Sequence, residues 1–186
     1  MESNIIFVHD FLERSSANGP GVRSVVWVQG CPRRCVGCCN PDSLLDDLRS
    51  PTTVGMLSQR VVALNVQGIT FSGGEPFSQA TSLAKLSRHL RAVCGDSFTV
   101  VCFTGYTLEQ IKCANREDWN ALLNEIDLLI DGEYIHSQRC NEPLRGSHNQ
   151  RLHFLTGRIR QEDITGPRVE YTLAQNGNVT TTGFPT

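Results

Sequence analysis

The sequence predicts an α/β protein, a partial and open β/α barrel that ends in a β-hairpin. Short apolar runs rich in β-branched residues alternate with segments of helical periodicity, which is typical of βαβ units around a parallel sheet. We count about four such units before residue 135. A closed eight-stranded barrel needs about 200–250 residues, whereas this chain has 186. We therefore expect one domain over residues 1–186, with a barrel that does not close.

Four strands and three helices are predicted before residue 135. The run 22–29 is apolar and bounded by glycines, so it is predicted to be a strand buried on both faces. Apolar residues recur at helical spacing in 53–65 and 78–93. Thr107-x-x-Gln110 has the form of a capping box that opens a third helix. The other predicted strands are short apolar runs at 68–72, 98–104 and 126–132.

The C-terminal part of the chain has a different pattern. Asn176-Gly177 separates the β-branched runs 169–174 and 179–182. Asn-Gly between two such runs is a strong signal for a β-hairpin. The stretch 139–150 is polar and irregular, and it is predicted to be a functional loop.

Composition and charge narrow the possible functions. Hydrophobic residues make up 39% of the chain and charged residues 19%, as in a globular protein. The net charge of -2 provides no basic surface, so neither nucleic acid nor a membrane is expected as a partner. No secretory signal and no apolar run of about 18–20 residues is visible. The eight cysteines are better explained as metal ligands and buried thiols in a reducing cytoplasm than as disulfides.

Cys31, Cys35 and Cys38 form a C-x3-C-x2-C motif directly after the strand 22–29. Three thiolates on one loop can hold three irons of a [4Fe–4S] cluster and leave the fourth iron open to a small molecule. The alternative is a zinc site, for which no second cysteine pair is present. Cys39 is expected to be a thiol beside the metal, because adjacent residues rarely ligate one ion. A zinc site would take its fourth ligand from the remaining cysteines, otherwise expected to be buried and inert: Cys94, Cys102, Cys113 and Cys140.

Gly73-Gly74-Glu75-Pro76 follows the predicted strand 68–72. Two glycines let the backbone approach a ligand closely, and the Glu75 carboxylate suits an ammonium group. The alternative is an ordinary turn between a strand and a helix. The segment 30–38, which carries the three cysteines, is called the cysteine loop below. Because this turn and the cysteine loop both follow parallel strands, they are expected at the same, ligand-binding end of the sheet.

Together these motifs resemble the radical S-adenosylmethionine superfamily, and within it the small activating enzymes of glycyl radical enzymes. The resemblance covers nearly the whole chain. Besides the cysteine loop and the Gly-Gly-Glu-Pro turn, the matching stretches are 18–23, 103–106, 129–132, 144–151 and 182–185. It implies a partial barrel of the radical S-adenosylmethionine type.

The resemblance also implies an activity. A [4Fe–4S] cluster would reductively cleave S-adenosylmethionine to a 5′-deoxyadenosyl radical, which would generate a glycyl radical on a partner enzyme. The leading expectation for that partner is anaerobic ribonucleotide reductase, with a flavodoxin- or ferredoxin-type protein as electron donor. One alternative is a stand-alone radical enzyme that acts on a small molecule or peptide. The other is a metal-binding interaction module without catalysis.

The same resemblance implies a set of site residues. The cluster and S-adenosylmethionine are expected to carry out the chemistry, and no side chain is expected to act as a catalytic residue. Cys31, Cys35 and Cys38 would bind the cluster, while Gly73, Gly74 and Glu75 would hold the methionyl amino group. Thr104 and Asp131 would contact the methionyl carboxylate directly or through a cation, or else only cap helices. Asn149 and Gln150 would bind S-adenosylmethionine or shape its site.

Overall fold

The structure is a computed structural model that describes residues 4–45, 51–173, 177 and 179–184. Within these residues there are nine strands and four α-helices, besides four short 3-10 helices. The strands are β1 (Ile5–Ser15), β2 (Arg23–Val28), β3 (Pro51–Thr53), β4 (Gly68–Gly73), β5 (Thr99–Phe103), β6 (Leu128–Asp131), β7 (Arg151–Phe154), β8 (Val169–Leu173) and β9 (Val179–Gly183). The helices are α1 (Val54–Ala63), α2 (Ala80–Cys94), α3 (Leu108–Ala114) and α4 (Glu117–Leu123).

Seven strands form one mixed sheet in the order β3-β1-β2-β4-β5-β6-β7. The four central strands, β2, β4, β5 and β6, are parallel, as the βαβ pattern predicts. Antiparallel strands extend both sides, with β1 and β3 on one and β7 on the other. The described sheet is open, with β3 and β7 at its ends. That it forms part of a barrel stays a prediction.

The helices begin where the sequence places their caps. The Thr53 side chain accepts a hydrogen bond from the Met56 N–H at 3.1 Å and so caps α1. The predicted capping box at α3 is confirmed, because Thr107 and Gln110 each accept the other's backbone N–H. These bonds pair N–H groups that a helix start leaves without partners.

The two faces of the central sheet have different cover. Val100 and Cys102 of β5 belong to a core that also includes apolar residues of α1, α2, α3 and α4. Val101 of the same strand points to the other face, where it packs in a smaller cluster with Leu144 and Ile159. Side chains alternate in this way along a strand. One face therefore supplies the main core, while the other is covered by loops and by the C-terminal region.

The C-terminal hairpin is confirmed. Strands β8 and β9 pair antiparallel, from Val169 opposite Gly183 to Leu173 opposite Val179. They form a separate two-stranded sheet. The predicted turn residue Asn176 lies outside the described residues. In the described part of the chain, no helix combines the length and apolar character that crossing a membrane requires.

Candidate metal and cofactor site

A cleft of about 730 Å³ lies where the parallel strands β2, β4, β5 and β6 end. The cysteine loop follows β2, and the Gly-Gly-Glu-Pro turn ends β4 and continues beyond it. The structure therefore places both motifs in one cleft, as expected for loops at the carboxyl ends of a parallel sheet. The sequence-predicted site residues that line it are Cys31, Cys35, Cys38, Gly73, Gly74, Glu75, Thr104 and Gln150.

The three motif cysteines are free thiols whose sulfur atoms receive backbone hydrogen bonds. The Asn40 N–H points to Cys38 Sγ at 3.4 Å. The backbone N–H groups of Arg33 and Arg34 donate to the Cys31 sulfur, and the backbone N–H of Tyr134 donates to the Cys35 sulfur. Hydrogen bonds to sulfur stabilise thiolate and tune the potential of an iron–sulfur cluster. The fold thus surrounds these sulfur atoms with backbone hydrogen-bond donors.

Two of these thiols, Cys31 and Cys35, are harder to ionise than an ordinary cysteine. Burial raises the pKa of Cys31 and of Cys35 above the ordinary value, and the backbone hydrogen bonds offset only part of this effect. A metal that binds here must therefore displace thiol protons.

The spacing of the three thiols argues against a site for one ion. Among the described residues, the group whose ligand atoms all lie within 4.8 Å of one another does not include them. A single zinc ion needs its ligands that close, whereas a cluster binds each cysteine to a different iron. Three thiolates that are not all within this distance fit a multi-iron cluster better than a single ion.

The two glycines of the turn pack directly against β2 and the cysteine loop. Gly73 has φ +90°, and a Cβ there would come within 2.8 Å of Trp27 Cα. A Cβ at Gly74 would collide with the Gly30 carbonyl oxygen. The turn is tied to the same strand and loop by the Gly74 N–H to Val28 O bond, 2.8 Å, and by the Glu75 N–H to Gly30 O bond, 2.9 Å. Glycine is required here for backbone contact between the two motifs, in addition to any contact with a ligand.

Glu75 is fully buried, and its carboxylate already has three donors. It accepts from the Thr104 hydroxyl at 2.8 Å, the Gly105 N–H at 2.9 Å and the Phe77 N–H at 3.0 Å. Burial raises the pKa of Glu75, and these hydrogen bonds oppose the rise without cancelling it. The side chain thereby fixes the turn after β4 to the end of β5, and Thr104 shares in that link.

Asp131 does not line the cleft. Its buried carboxylate accepts from the Leu108 N–H at 2.7 Å, at the start of α3, and pairs with Arg151 at 2.8 Å. His153 Nε2 lies 2.9 Å from the same oxygen. Burial works against ionisation, but the bonds from Arg151, Leu108 and His153 outweigh it and hold the pKa of Asp131 below its ordinary value. These contacts are those expected if Asp131 caps a helix, which was one of its two predicted roles. Contact between Asp131 and a cofactor stays a prediction.

Asn149 and Gln150 support the wall of the cleft from one loop. Gln150 accepts from the Gly146 and Ser147 N–H groups and donates to the Gly132 carbonyl at 2.9 Å. Asn149 donates to the Glu133 carbonyl at 2.8 Å. The Asn149 Oδ1 atom is buried and has no hydrogen-bond partner among the described residues. A buried acceptor without a donor is costly, so this oxygen is a place where a ligand donor would fit.

Arg33 is a cleft residue that sequence reasoning missed. Its guanidinium lies over the Tyr106 ring, 4.8 Å from the centroid, and pairs with Glu133 at 3.3 Å. A Cβ at Gly105 would collide with the Arg33 side chain. The side chain therefore links the cysteine loop to the segments after β5 and β6. These contacts are long-range, and no local pattern in the sequence indicates them.

The C-terminal hairpin also contributes to the cleft, through residues 180–184. The buried Asn18 amide donates to the Thr182 hydroxyl at 2.8 Å, and the Phe184 ring packs on Phe103 at 5.7 Å between centroids. The Ser15 hydroxyl donates to Glu170 at 2.6 Å. The hairpin is thus fastened beside the cleft that the sheet provides.

The remaining cysteines divide into two groups. Cys102 and Cys140 are buried, as expected. The prediction that Cys94 and Cys113 are buried is wrong, because both are exposed. They lie on the solvent-facing sides of α2 and α3, away from the apolar residues that each helix buries. Cys39 is exposed beside the cleft.

Comparison with known proteins agrees with this geometry. The family described as a 4Fe-4S single cluster domain matches residues 17–153, which is most of the chain. This match defines the class as proteins built around a single 4Fe-4S cluster. The chain is also similar to curated proteins named anaerobic ribonucleoside-triphosphate reductase-activating protein, from several sources.

Three of these relatives illustrate the similarity. The protein of Escherichia coli K12 is 31% identical over 157 residues, covering 79% of this chain and 97% of that protein. For Haemophilus influenzae Rd the identity is 32%, over 73% of this chain and 90% of the relative. For Enterobacteria phage T4 it is 30%, over 78% and 92%. The chain belongs to the family of anaerobic ribonucleoside-triphosphate reductase-activating proteins, and the resemblance seen in its motifs is confirmed.

Proposed function

We propose that this protein binds S-adenosylmethionine at a [4Fe–4S] cluster and generates a glycyl radical on an anaerobic ribonucleoside-triphosphate reductase. The observation that carries the proposal is the single cleft that brings the three cysteines and the Gly-Gly-Glu turn together. The family to which the chain belongs supports the choice of partner. When bound, the cluster supplies the electron that cleaves S-adenosylmethionine, and the cleavage supplies the oxidant that removes a hydrogen atom from glycine.

The chain's own residues hold and orient these groups. Cys31, Cys35 and Cys38 would each hold one iron, and backbone N–H groups of the loop, of Asn40 and of Tyr134 would stabilise their thiolates. Gly73 and Gly74 place backbone rather than side chain at the cleft surface beside the cysteine loop. This surface suits the amino end of S-adenosylmethionine, since no side chain at these two positions stands between backbone and ligand.

The Glu75 carboxylate is also part of the proposed binding site for the amino end of S-adenosylmethionine. Its carboxylate holds the turn to Thr104 and Gly105, so its negative charge is fixed beside the proposed ammonium position. A fixed charge in a buried site acts on a ligand more strongly than one in water. We propose that Glu75 thereby contributes to binding of the amino group, with Thr104 facing the same cleft.

The other predicted residues act from the loop after β6. Gln150 lines the cleft, and next to it in the chain is the Asn149 oxygen, which has no hydrogen-bond partner in the part of the chain that the structure describes. We assign both to the adenosine or methionyl end of S-adenosylmethionine. Asp131 acts through the cap of α3 and through Arg151, which tie the end of β6 to the start of α3 and to β7.

The cleft also bears on the fold, and the electron that the reaction needs bears on the compartment. Because loops after four parallel strands converge on one cleft, we infer that the sheet curves around it as part of a barrel, in one domain over the chain. Delivery of a low-potential electron needs a reducing compartment, for which we propose the cytoplasm. A flavodoxin- or ferredoxin-type protein would be the donor.

An activation assay tests the proposed function. The reductase from the same organism is incubated anaerobically with the cluster-loaded protein, S-adenosylmethionine and reductant, and deoxynucleotide formation is then measured with 5′-deoxyadenosine release. We expect activation that is lost with Cys38→Ala, because an iron ligand is removed, and retained with Cys113→Ala, an exposed thiol on α3. Cys39→Ala should retain most of the activity.

Two outcomes would contradict the proposal. Loss of activation with Cys39→Ala but not with Cys38→Ala would overturn the ligand assignment. Rapid turnover of a small molecule or peptide, with no activation of the reductase, would favour a stand-alone radical enzyme.

A further inference from the structure

We propose that Cys140, Glu142 and His148 form a second metal site, for a zinc ion, which shares no ligand with the cluster although Cys140 lines the same cleft. One ligand atom from each of these residues lies within 4.8 Å of the other two. They are provided by the polar loop 139–150, which the function described above uses only through Asn149 and Gln150. Thiolate, carboxylate and imidazole together form a donor set typical of zinc.

The distances are close to those of a tetrahedral zinc site. His148 Nδ1 lies 3.3 Å from Glu142 Oε1. Zinc bonds of about 2.0–2.2 Å to nitrogen and oxygen place two such ligands about 3.3–3.5 Å apart at a tetrahedral angle. The Cys140 sulfur needs to approach by about 1 Å at most, since zinc–sulfur bonds are only slightly longer, about 2.3 Å. Because His148 is exposed, we propose that a water molecule completes the zinc coordination.

The backbone brings these ligands together before a metal is present. The His148 N–H donates to the Gln138 carbonyl at 2.8 Å, and the Cys140 N–H donates to the Gly146 carbonyl at 3.2 Å. Residues 139 and 147 form an antiparallel bridge between these two bonds. The loop is therefore closed at its base, with Cys140 and His148 on opposite arms and Glu142 near the tip.

Charge balance is consistent with a divalent cation. A Cys140 thiolate and a Glu142 carboxylate together carry two negative charges, which Zn²⁺ neutralises. Without metal, Arg145 pairs with Glu142, and the Cys140 thiol makes a weak bond of 3.6 Å to the Arg145 carbonyl. Zinc binding releases the thiol proton to solvent and replaces Arg145 at Glu142. The Arg145 side chain keeps its hydrogen bond to the Gln150 carbonyl, at 3.1 Å.

The site would fix the wall of the cleft. Gln150 is held by the N–H groups of Gly146 and Ser147, which lie between the proposed ligands Glu142 and His148. Zinc would clamp this segment and hold Gln150 in its position at the cleft. The proposal does not depend on the reductase being the partner.

Zinc uptake by the cluster-loaded full-length protein tests the proposal. The protein is incubated anaerobically with one equivalent of zinc and passed through a desalting column, and zinc and iron are then measured together. We expect one zinc per chain with no loss of iron. The zinc K-edge absorption should show one sulfur ligand, with nitrogen and oxygen completing the shell.

Matched variants separate this site from the cysteine loop. Cys140→Ser and His148→Asn should each lower zinc affinity at least about tenfold, with iron content unchanged. Cys113→Ser and His89→Asn, which change exposed residues on α3 and α2, should bind zinc like the unmodified protein. Zinc uptake that displaces iron, that persists in both ligand variants, or that shows several sulfur ligands would overturn the proposal. So would no zinc retained by the unmodified protein.

Discussion

At the scale of single residues, Gly74 shows how closely the two halves of the cleft are joined. Its Cα faces the carbonyl of Gly30, the residue from which the cysteine loop starts. The same contact is bordered by the Glu75 N–H to Gly30 O hydrogen bond. A change at this glycine therefore reaches the metal ligands directly, before it can affect a bound cofactor.

We predict that Gly74→Ala lowers the iron content of the reconstituted protein. The added methyl group must displace the Gly30 carbonyl and with it the cysteine loop, a strain worth about 1–3 kcal/mol. Gly157→Ala is the matched control, because a Cβ there meets nothing within 4 Å. Iron and sulfide analysis after desalting is the measurement. Normal iron with weakened S-adenosylmethionine affinity would show instead that Gly74 matters for the ligand alone.

Sequence reasoning identified the chemistry of residues better than their partners. The spacing of Cys31, Cys35 and Cys38 indicated a cluster without any structure. The three donors to the Glu75 carboxylate were not predictable, because Thr104 and Gly105 lie about thirty positions away in the chain. For the same reason Arg33 was missed, since its contacts with Tyr106 and Glu133 are set only by the fold.

At the scale of elements, Asp131 connects the end of β6 to the start of α3 and to β7. It caps α3 at Leu108 and pairs with Arg151 at the beginning of β7. A carboxylate with these partners is stabilised in its charged form, and its pKa is lowered from the ordinary 3.8. Ionised Asp131 therefore stabilises the fold at pH values above 3.8, and this contribution is lost as the pH falls through the lowered pKa.

We predict that the free energy of unfolding falls less between pH 7 and pH 3 in Asp131→Asn than in the unmodified protein. At pH 7 the variant should be less stable by about 1.5–3 kcal/mol, the range for hydrogen bonds to a charged group. At pH 3 the two proteins should differ less, because part of the wild-type advantage is gone. Urea unfolding of the metal-free protein at both pH values measures this. Asp96→Asn, at an exposed loop position, is the control. An equal deficit at both pH values would contradict the assignment.

The central elements were predictable and the flanking ones were not. Strand β2 and helices α1 and α2 have clear apolar periodicity, and their positions agree with the predictions within a few residues. Strand β1 was missed because it mixes apolar and charged residues, in the sequence IIFVHDFLERS, and most of it is partly exposed. Its pairing with β2 and β3 is what makes it a strand.

At the scale of the whole molecule, the cleft is assembled from distant parts of the chain. The parallel strands supply the two motifs, the loop after β6 supplies Gln150, and the C-terminal hairpin supplies residues 180–184. The hairpin could be predicted from Asn-Gly, but its position beside the cleft depends on contacts such as Asn18 to Thr182. A cleft bordered by a separate hairpin suits a substrate that is itself a loop of another protein.

The central claim is that this cleft directs the removal of a hydrogen atom from a glycine of the reductase. The direct measurement is electron paramagnetic resonance of the reductase from the same organism, after anaerobic incubation with the cluster-loaded protein, S-adenosylmethionine and reductant. We predict a doublet whose splitting arises from the one hydrogen left on the glycine Cα, and which collapses when the reductase contains Cα-deuterated glycine. A reductase that stays without this signal, while 5′-deoxyadenosine accumulates at full rate, would contradict the claim.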